Sequence, residues 1–152
     1  MTYFTSFFVL MFSLLIGSAY AEIAPAPPDL AVKAYLLKDF NSNRVLAEQQ
    51  SQSRVEPASL TKLMTAYLSF KALKNGRIKL EQTLPISEKA WHIEGSKMFV
   101  DTTMTVTVDE LLHGMIIQSG NDASIALAEG IAGTEDAFAA QMNKEAARLG
   151  MK

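Results

Sequence analysis

Two serine-centred patterns carry the residues whose types and spacing allow covalent chemistry. The first is Pro57-Ala58-Ser59-Leu60-Thr61-Lys62-Leu63-Met64-Thr65, in which Ser59 and Lys62 stand three positions apart. On an α-helix that spacing sets the two side chains about 60° apart around the axis, on one face, so that a hydroxyl and an amine can meet. A serine hydroxyl is a weak nucleophile until a base takes its proton. A lysine serves as that base only where burial and neighbouring cations favour the neutral amine. Leu60, Leu63 and Met64 are the residues expected to supply dry surroundings. The free N–H groups and partial positive charge of a helix N-terminus favour an oxyanion forming beside Ser59. The second pattern, Ser119-Gly120-Asn121-Asp122-Ala123, begins 60 residues after Ser59 and offers another hydroxyl together with an amide that both donates and accepts.

Neither pattern decides the matter alone. Ser-x-x-Lys arises by chance about once in two chains of this length. A serine in a first turn commonly caps a helix, and Ser119 to Asp122 also reads as a plain turn between helices with Asn121 or Asp122 as N-cap. Other chemistries have less support. The absence of cysteine (Cys 0) excludes a disulfide framework, a thiolate metal site and a cysteine nucleophile, and the two histidines, His92 and His113, lie far apart and outside any H-E-x-x-H frame. His92, beside Trp91, reads as a packing or cleft-wall residue, and His113 as a satisfied structural histidine. With 14 Lys and Arg against 16 Asp and Glu, a net charge of -2 leaves no electrostatic footprint for nucleic acid. No motif calls for a cofactor or a metal.

The elements that must position these residues begin after residues 1–21, which read as a secretion signal. Phe7 to Ile16 is an apolar run of ten, well short of the ~18 to 20 residues that span a bilayer, and Ala19-Tyr20-Ala21 makes a cleavage frame. No Lys or Arg precedes Lys33, so the orienting charge bias is weak and an uncleaved anchor is the alternative. Residues 22–29 form an Ala/Pro linker, and residues 30–152 are expected to form one domain. Ala31 to Asp39 and Arg44 to Glu48, around Asn41-Ser42-Asn43, predict a β-hairpin. Pro57 to Lys74, stopped by Asn75-Gly76, predicts one long helix, apolar on most faces and therefore central. Arg77 to Trp91 reads as a short strand or turn. Thr107 and Glu110 make a capping box for a helix to about Gln118, broken by Gly120. A second helix runs from near Asp122 to Gly130 or Gly133. A third follows Thr134, with Phe138, Met142, Ala146 and Leu149 as its buried stripe.

In order and together, the two motifs resemble the penicillin-recognising acyl-serine enzymes, whose set is S-x-x-K, then S-x-N, then K-T-G on a later strand. Within that group the chain is similar to the serine D-alanyl-D-alanine carboxypeptidases. The likeness rests on P-A-S-L-T-K-L-M-T, on G-S-K-M-F at Gly95 to Phe99, on I-Q-S-G-N-D-A at Ile117 to Ala123, and on Met142-Asn143 with Leu149-Gly150-Met151. The resemblance implies an α+β, β-lactamase/transpeptidase-like fold, an antiparallel sheet packed with a helical subdomain, incomplete in this chain. It implies Ser59 as the acylated nucleophile, Lys62 as its base, Ser119 as proton relay toward the leaving amine, and Asn121 as the holder of the substrate amide and of Lys62. It further implies peptidoglycan stem peptides ending in D-Ala-D-Ala as substrate, β-lactams as inhibitors, a periplasmic location, and association with the inner membrane through a C-terminal region absent here.

Two departures stand out. Asp101-Thr102-Thr103 occupies the place of a turn that commonly contains glycine, and no K-T-G or K-S-G occurs in the 152 residues. The expectation is therefore an N-terminal part of the catalytic domain, inactive in isolation, with unpaired strand edges and exposed apolar helix faces. Competing readings are a D,D-endopeptidase, an inactive β-lactam- or wall-binding remnant, and a secreted scaffold in which both serine motifs are helix caps. A class A β-lactamase fits less well because S-G-N stands where S-D-N is expected.

Overall fold

A computed structural model describes residues 26–151, and the chain divides between Arg54 and Val55 into two units. The expected signal, residues 1–21, and residues 22–25 of the linker lie outside the described residues. In the first unit, residues 26–30 are exposed and irregular, as a proline-containing lead should be. The predicted hairpin follows: β1 (Tyr35–Lys38) pairs antiparallel with β2 (Val45–Gln49), Tyr35 opposite Gln49, with a register shift after Leu37. Its turn closes because the Asp39 carboxylate accepts from the Ser42 amide and hydroxyl (2.6 and 2.7 Å) while Asn43 adopts a left-handed φ of 58°. Those bonds hold the Asp39 carboxyl below its usual value. The first strand is shorter than expected, because the amide of Val32 turns back to the carbonyl of Leu30 before the ladder begins.

The second unit is mainly helical. The helix expected over 57–74 is two pieces, a 3-10 turn at Ala58–Thr61 and then α1 (Lys62–Lys74). Strand β3 (Thr83–Leu84) pairs with β4 (Val106–Thr107), and the segment between them holds a short helix, α2 (Glu88–His92), that hydrophobic periodicity does not reveal. Ser87 makes it by accepting from the Ala90 amide at 3.0 Å. The capping box forms as expected at the head of α3 (Val108–Gln118): Glu110 N–H donates to Thr107 Oγ1 (3.2 Å) and Thr107 N–H to Glu110 Oε2 (2.9 Å). Two further first-turn amides, of Val108 and Asp109, reach the carbonyls of Gln82 and Leu80. Helices α4 (Asn121–Ala132) and α5 (Glu135–Arg148) complete the unit, α5 capped by Thr134. No helix of the described residues is long and apolar enough to cross a membrane.

The central helix is α4, not α1. Asp122, Ala123, Ile125, Ala126, Leu127, Ala128 and Ile131 of α4 are buried, and its alanines and Gly130 let neighbours come close. An added Cβ at Gly130 would meet Leu84 Cδ1 at 2.4 Å. By contrast α1 buries only Thr65, Leu68, Ser69 and Ala72, while Leu63, Tyr67 and Phe70 line its outer side. Its apolar residues thus split between two faces, which sequence alone reads as burial all round. The α5 stripe is likewise narrower than expected: Phe138 is buried, Met142 and Ala146 half-buried, and Leu149 exposed.

In place of Leu149, α5 buries a carboxylate. Glu145 accepts from Lys71 Nζ (3.0 Å) and from Arg148 Nη2 (2.6 Å) and Nε (2.9 Å), and Arg148 also donates to Tyr67 Oη (3.1 Å). The Arg148 guanidinium first, then the Lys71 ammonium, hold the Glu145 carboxyl down to about 2. This cluster ties the end of α5 to α1. Because the folded value lies below the ordinary 4.5, ionised Glu145 contributes its full share of stability above about pH 4.5, and that share is lost as pH falls toward about 2. Denaturant melts of wild type and Glu145→Gln at pH 7, 4.5 and 2.5 should therefore show a stability gap that narrows on acidification. A second expectation concerns α3: Thr107→Ala should lower unfolding free energy by about 1 kcal/mol, read in a urea titration at neutral pH.

Candidate active site

The 3-10 turn changes the geometry at Ser59. With three residues per turn, side chains at i and i+3 eclipse one another, so Ser59 and Lys62 stand closer to register than an α-helix would allow. Lys62 Nζ lies 3.3 Å from Ser59 Oγ. Just upstream, Ala58 adopts a φ of 47°, a left-handed conformation that costs a residue with a Cβ about 1–3 kcal/mol and that turns the chain into the helix at Ser59. Ser59 is exposed and Lys62 half-buried.

Lys62 also donates to Asn121 Oδ1 at 2.7 Å across a sequence separation of 59 residues. The other end of the same amide is used as well, since Asn121 Nδ2 donates to the Glu94 carbonyl at 2.7 Å. One acceptor lone pair and one N–H of Asn121 are thereby engaged, and one of each remains for a further partner. Ser119 sits between α3 and α4 in a left-handed conformation (φ 57°), its amide and that of Gly120 both returning to the Gly114 carbonyl. It lines a cavity of about 180 Å³ together with Ser59, Leu60, Lys62, Leu63 and Ile116. Lys62 and Asn121 also line a second cavity, of about 420 Å³, that neither serine reaches. All four expected residues are thus brought together by α1, α3, α4 and the turns between them.

Several details differ from expectation. The helix break falls on Ser119, which takes the left-handed φ, while Gly120 has an ordinary φ of -58°. Glycine is required at 120 for space: an added Cβ would lie 2.9 Å from Asp122 Oδ1 and 3.2 Å from the Gly114 carbonyl. Gly120, rather than Asn121 or Asp122, is the N-cap of α4. Leu60 and Leu63 border the smaller cavity but are 67% and 70% exposed, so they do not bury the Lys62 amine. Trp91 and His92 pack against one another, ring centroids 4.2 Å apart, with His92 Nε2 3.2 Å from Glu88 Oε2, and neither lines these two cavities. His113 Nδ1 pairs with the Asp109 carbonyl at 2.9 Å on the exposed side of α3.

The loop carrying G-S-K-M-F wraps the turn from Gln118 to Asp122, a contact that sequence reasoning does not find. The Asn121 amide donates to the Ser96 carbonyl (2.7 Å), and Ser96 Oγ donates to the Gln118 carbonyl (2.6 Å). Asp122 is fully buried and accepts backbone amides from Met98 (3.0 Å), Phe99 (2.8 Å), Val100 (3.3 Å) and its own neighbour Ala123 (2.8 Å). Gly95 permits the approach twice over: its φ is 91°, and an added Cβ would lie 2.7 Å from Asn121 Nδ2. The signal available in the sequence is the pair of motifs themselves, one opening on a glycine, Gly95, and the other holding an acidic residue directly after Asn121.

Comparison with known proteins accords with this geometry. The profile of the peptidase S11 family, D-alanyl-D-alanine carboxypeptidase, matches residues 21–152. The D-alanyl-D-alanine carboxypeptidase DacA of Haemophilus influenzae is 38% identical over 152 residues, which cover 98% of this chain and 39% of the relative. The DacA of Escherichia coli K12 is 42% identical over 149 residues, covering 90% and 37%. Among solved structures, penicillin binding protein 5 from Haemophilus influenzae superposes with a TM-score of 0.78 at 41% identity, covering 85% of this chain and 38% of that one. The expected α+β, transpeptidase-like fold is the fold shared with these neighbours, and the chain spans about two-fifths of the length of the curated relatives it matches. With Ser-x-x-Lys and Ser-x-Asn meeting around one lysine, and with the family profile covering all but the first 20 residues, the chain belongs to the S11 peptidase family, the D-alanyl-D-alanine carboxypeptidases.

Proposed function

We propose that the whole protein is a serine D-Ala-D-Ala carboxypeptidase that removes the terminal D-alanine from peptidoglycan stem pentapeptides, and that residues 30–152 are the N-terminal part of its catalytic domain. The observation that carries the proposal is the placement of one amine, Lys62 Nζ, between Ser59 Oγ and Asn121 Oδ1 in a chain of this family. Ser59 Oγ attacks the carbonyl carbon of the penultimate D-alanine while its proton passes to the Lys62 amine acting as base. Asn121 uses its free donor and acceptor on the substrate's amide, which orients that carbonyl. Ser119 then relays the proton to the amine of the departing D-alanine as the C–N bond breaks and the Ser59 ester remains. Water hydrolyses the ester, with Lys62 accepting its proton and returning it to Ser59. A β-lactam, whose strained amide mimics the scissile one, would acylate the same oxygen.

Since Lys-Thr-Gly and Lys-Ser-Gly are absent from these 152 residues, the activity is proposed for the whole protein and not for this stretch taken alone. The same reading locates the protein in the periplasm, supported by the apolar run from Phe7 to Ile16 and the frame Ala19-Tyr20-Ala21, and allows association with the outer face of the inner membrane. The test is release of D-alanine from a peptide ending in D-Ala-D-Ala. Ser59→Ala should reduce it to background, and Lys62→Ala by on the order of 10² to 10⁴-fold, the usual worth of a positioned base. Cleavage of cross-linked peptides without release of terminal D-alanine would replace the carboxypeptidase by a D,D-endopeptidase. Penicillin binding that survives Ser59→Ala, without turnover, would replace it by a binding remnant.

A further inference from the structure

From the hydrogen bonds of Asp122 we infer that this buried carboxylate is a positioning residue for the reaction: by clamping the 94–100 loop it sets the orientation of the Asn121 amide toward Lys62. The inference rests on the acyl-serine reading of the site. Asp122 touches neither Lys62 nor the cavity that holds the two serines. Its effect runs through the backbone. Oδ1 accepts from Met98 and Ala123, and Oδ2 from Phe99 and Val100, so the carboxylate joins the start of α4 to three consecutive amides of the loop.

The loop in turn acts on Asn121. The Glu94 carbonyl takes the Nδ2 end of the Asn121 side chain, which leaves Oδ1 as the end presented to Lys62. An amide rotated by 180° would set its oxygen against the Glu94 carbonyl, two acceptors facing each other, and would lose the acceptor that Lys62 uses. The hold on the loop costs backbone strain, for Phe99 adopts a φ of 65° although it is bulky and 78% exposed. Burial of its side chain therefore does not enforce that conformation, and the bond from its amide to Asp122 does. Glycines at 95 and 120 clear the space on both sides: added Cβ atoms would strike Asn121 Nδ2 at 2.7 Å and Asp122 Oδ1 at 2.9 Å.

The test is Asp122→Asn, which keeps the size but replaces one accepting oxygen by an N–H₂ group that faces amide donors. Two readouts are taken at a temperature where wild type and variant are both fully folded by circular dichroism: the rate at which benzylpenicillin acylates the protein, and hydrogen exchange of the Asn121 side-chain amide by NMR. The expected result is acylation slower by about 10- to 100-fold, as for a reacting group displaced by ~1 Å, with faster Asn121 exchange. Thr107→Ala, which weakens α3 away from the site, should leave both readouts at wild-type values. A folded Asp122→Asn protein with wild-type acylation and wild-type exchange overturns the inference. If that variant does not fold, Gly95→Ala presses on Asn121 from the loop side with Asp122 intact. Slow acylation in it supports the inference and a wild-type rate overturns it. If wild type itself is not acylated, the acyl-serine reading fails, while Asn121 exchange still decides whether Asp122 positions that amide.

Discussion

A carboxylate taken wholly out of water must be satisfied by the protein, and the way Asp122 is satisfied shapes the region around it. Among the described residues its partners are four backbone amides and no side chain. Hydrogen bonds to an ionised acceptor are among the stronger ones a protein makes, and each buried amide left without its acceptor would cost about 1–3 kcal/mol. Three of the four donors belong to a loop more than twenty residues away in sequence, so the interaction is tertiary even though it starts in the first turn of α4. It serves as a long-range fastening. The loop it holds then supplies the carbonyls of Glu94 and Ser96 to Asn121, and Asn121 supplies its oxygen to Lys62.

Packing follows the same logic. Helix α4 takes the centre because alanine and glycine let β3, α3 and α5 approach its axis closely, so that small side chains decide its place more than large apolar ones do. Glycines 95 and 120 act in the same way at the site, each marking a place where a single methyl would strike a functional side chain or its clamp. At the opposite end of α1, Glu145 uses Lys71 and Arg148 to join α5 to α1. One helix thus carries Lys62 at its first turn and is anchored near its last.

What is legible in the sequence is mostly local or motif-borne. Thr107 with Glu110 and Thr134 before Glu135 are capping signals whose partners lie three residues away, and each forms where expected. The hairpin turn at Asn41-Ser42-Asn43 is local too. Ser59, Lys62, Ser119 and Asn121 stand out by spacing and resemblance, and they do converge. Long-range outcomes are not legible. The 3-10 turn at Ser59 depends on a left-handed Ala58 that no propensity favours. The leucines of α1 suggest a central helix, but the fold divides them between two faces. Asp122 reads as an N-cap candidate because acidic residues favour helix starts, whereas tertiary contact assigns it to a distant loop. Glu145 sits among charged neighbours on α5, and nothing in the local pattern shows that it, and not Leu149, faces inward.

The central claim is that Ser59 is a nucleophile activated by Lys62, and site-mapping of a β-lactam adduct tests it most directly. The protein would be incubated with benzylpenicillin, digested with trypsin and analysed by tandem mass spectrometry. The account predicts one adduct of the drug's mass on the peptide spanning Val55 to Lys62, with fragment ions assigning it to Ser59. An unmodified peptide, or an adduct whose fragments place it on any other residue, would contradict the account.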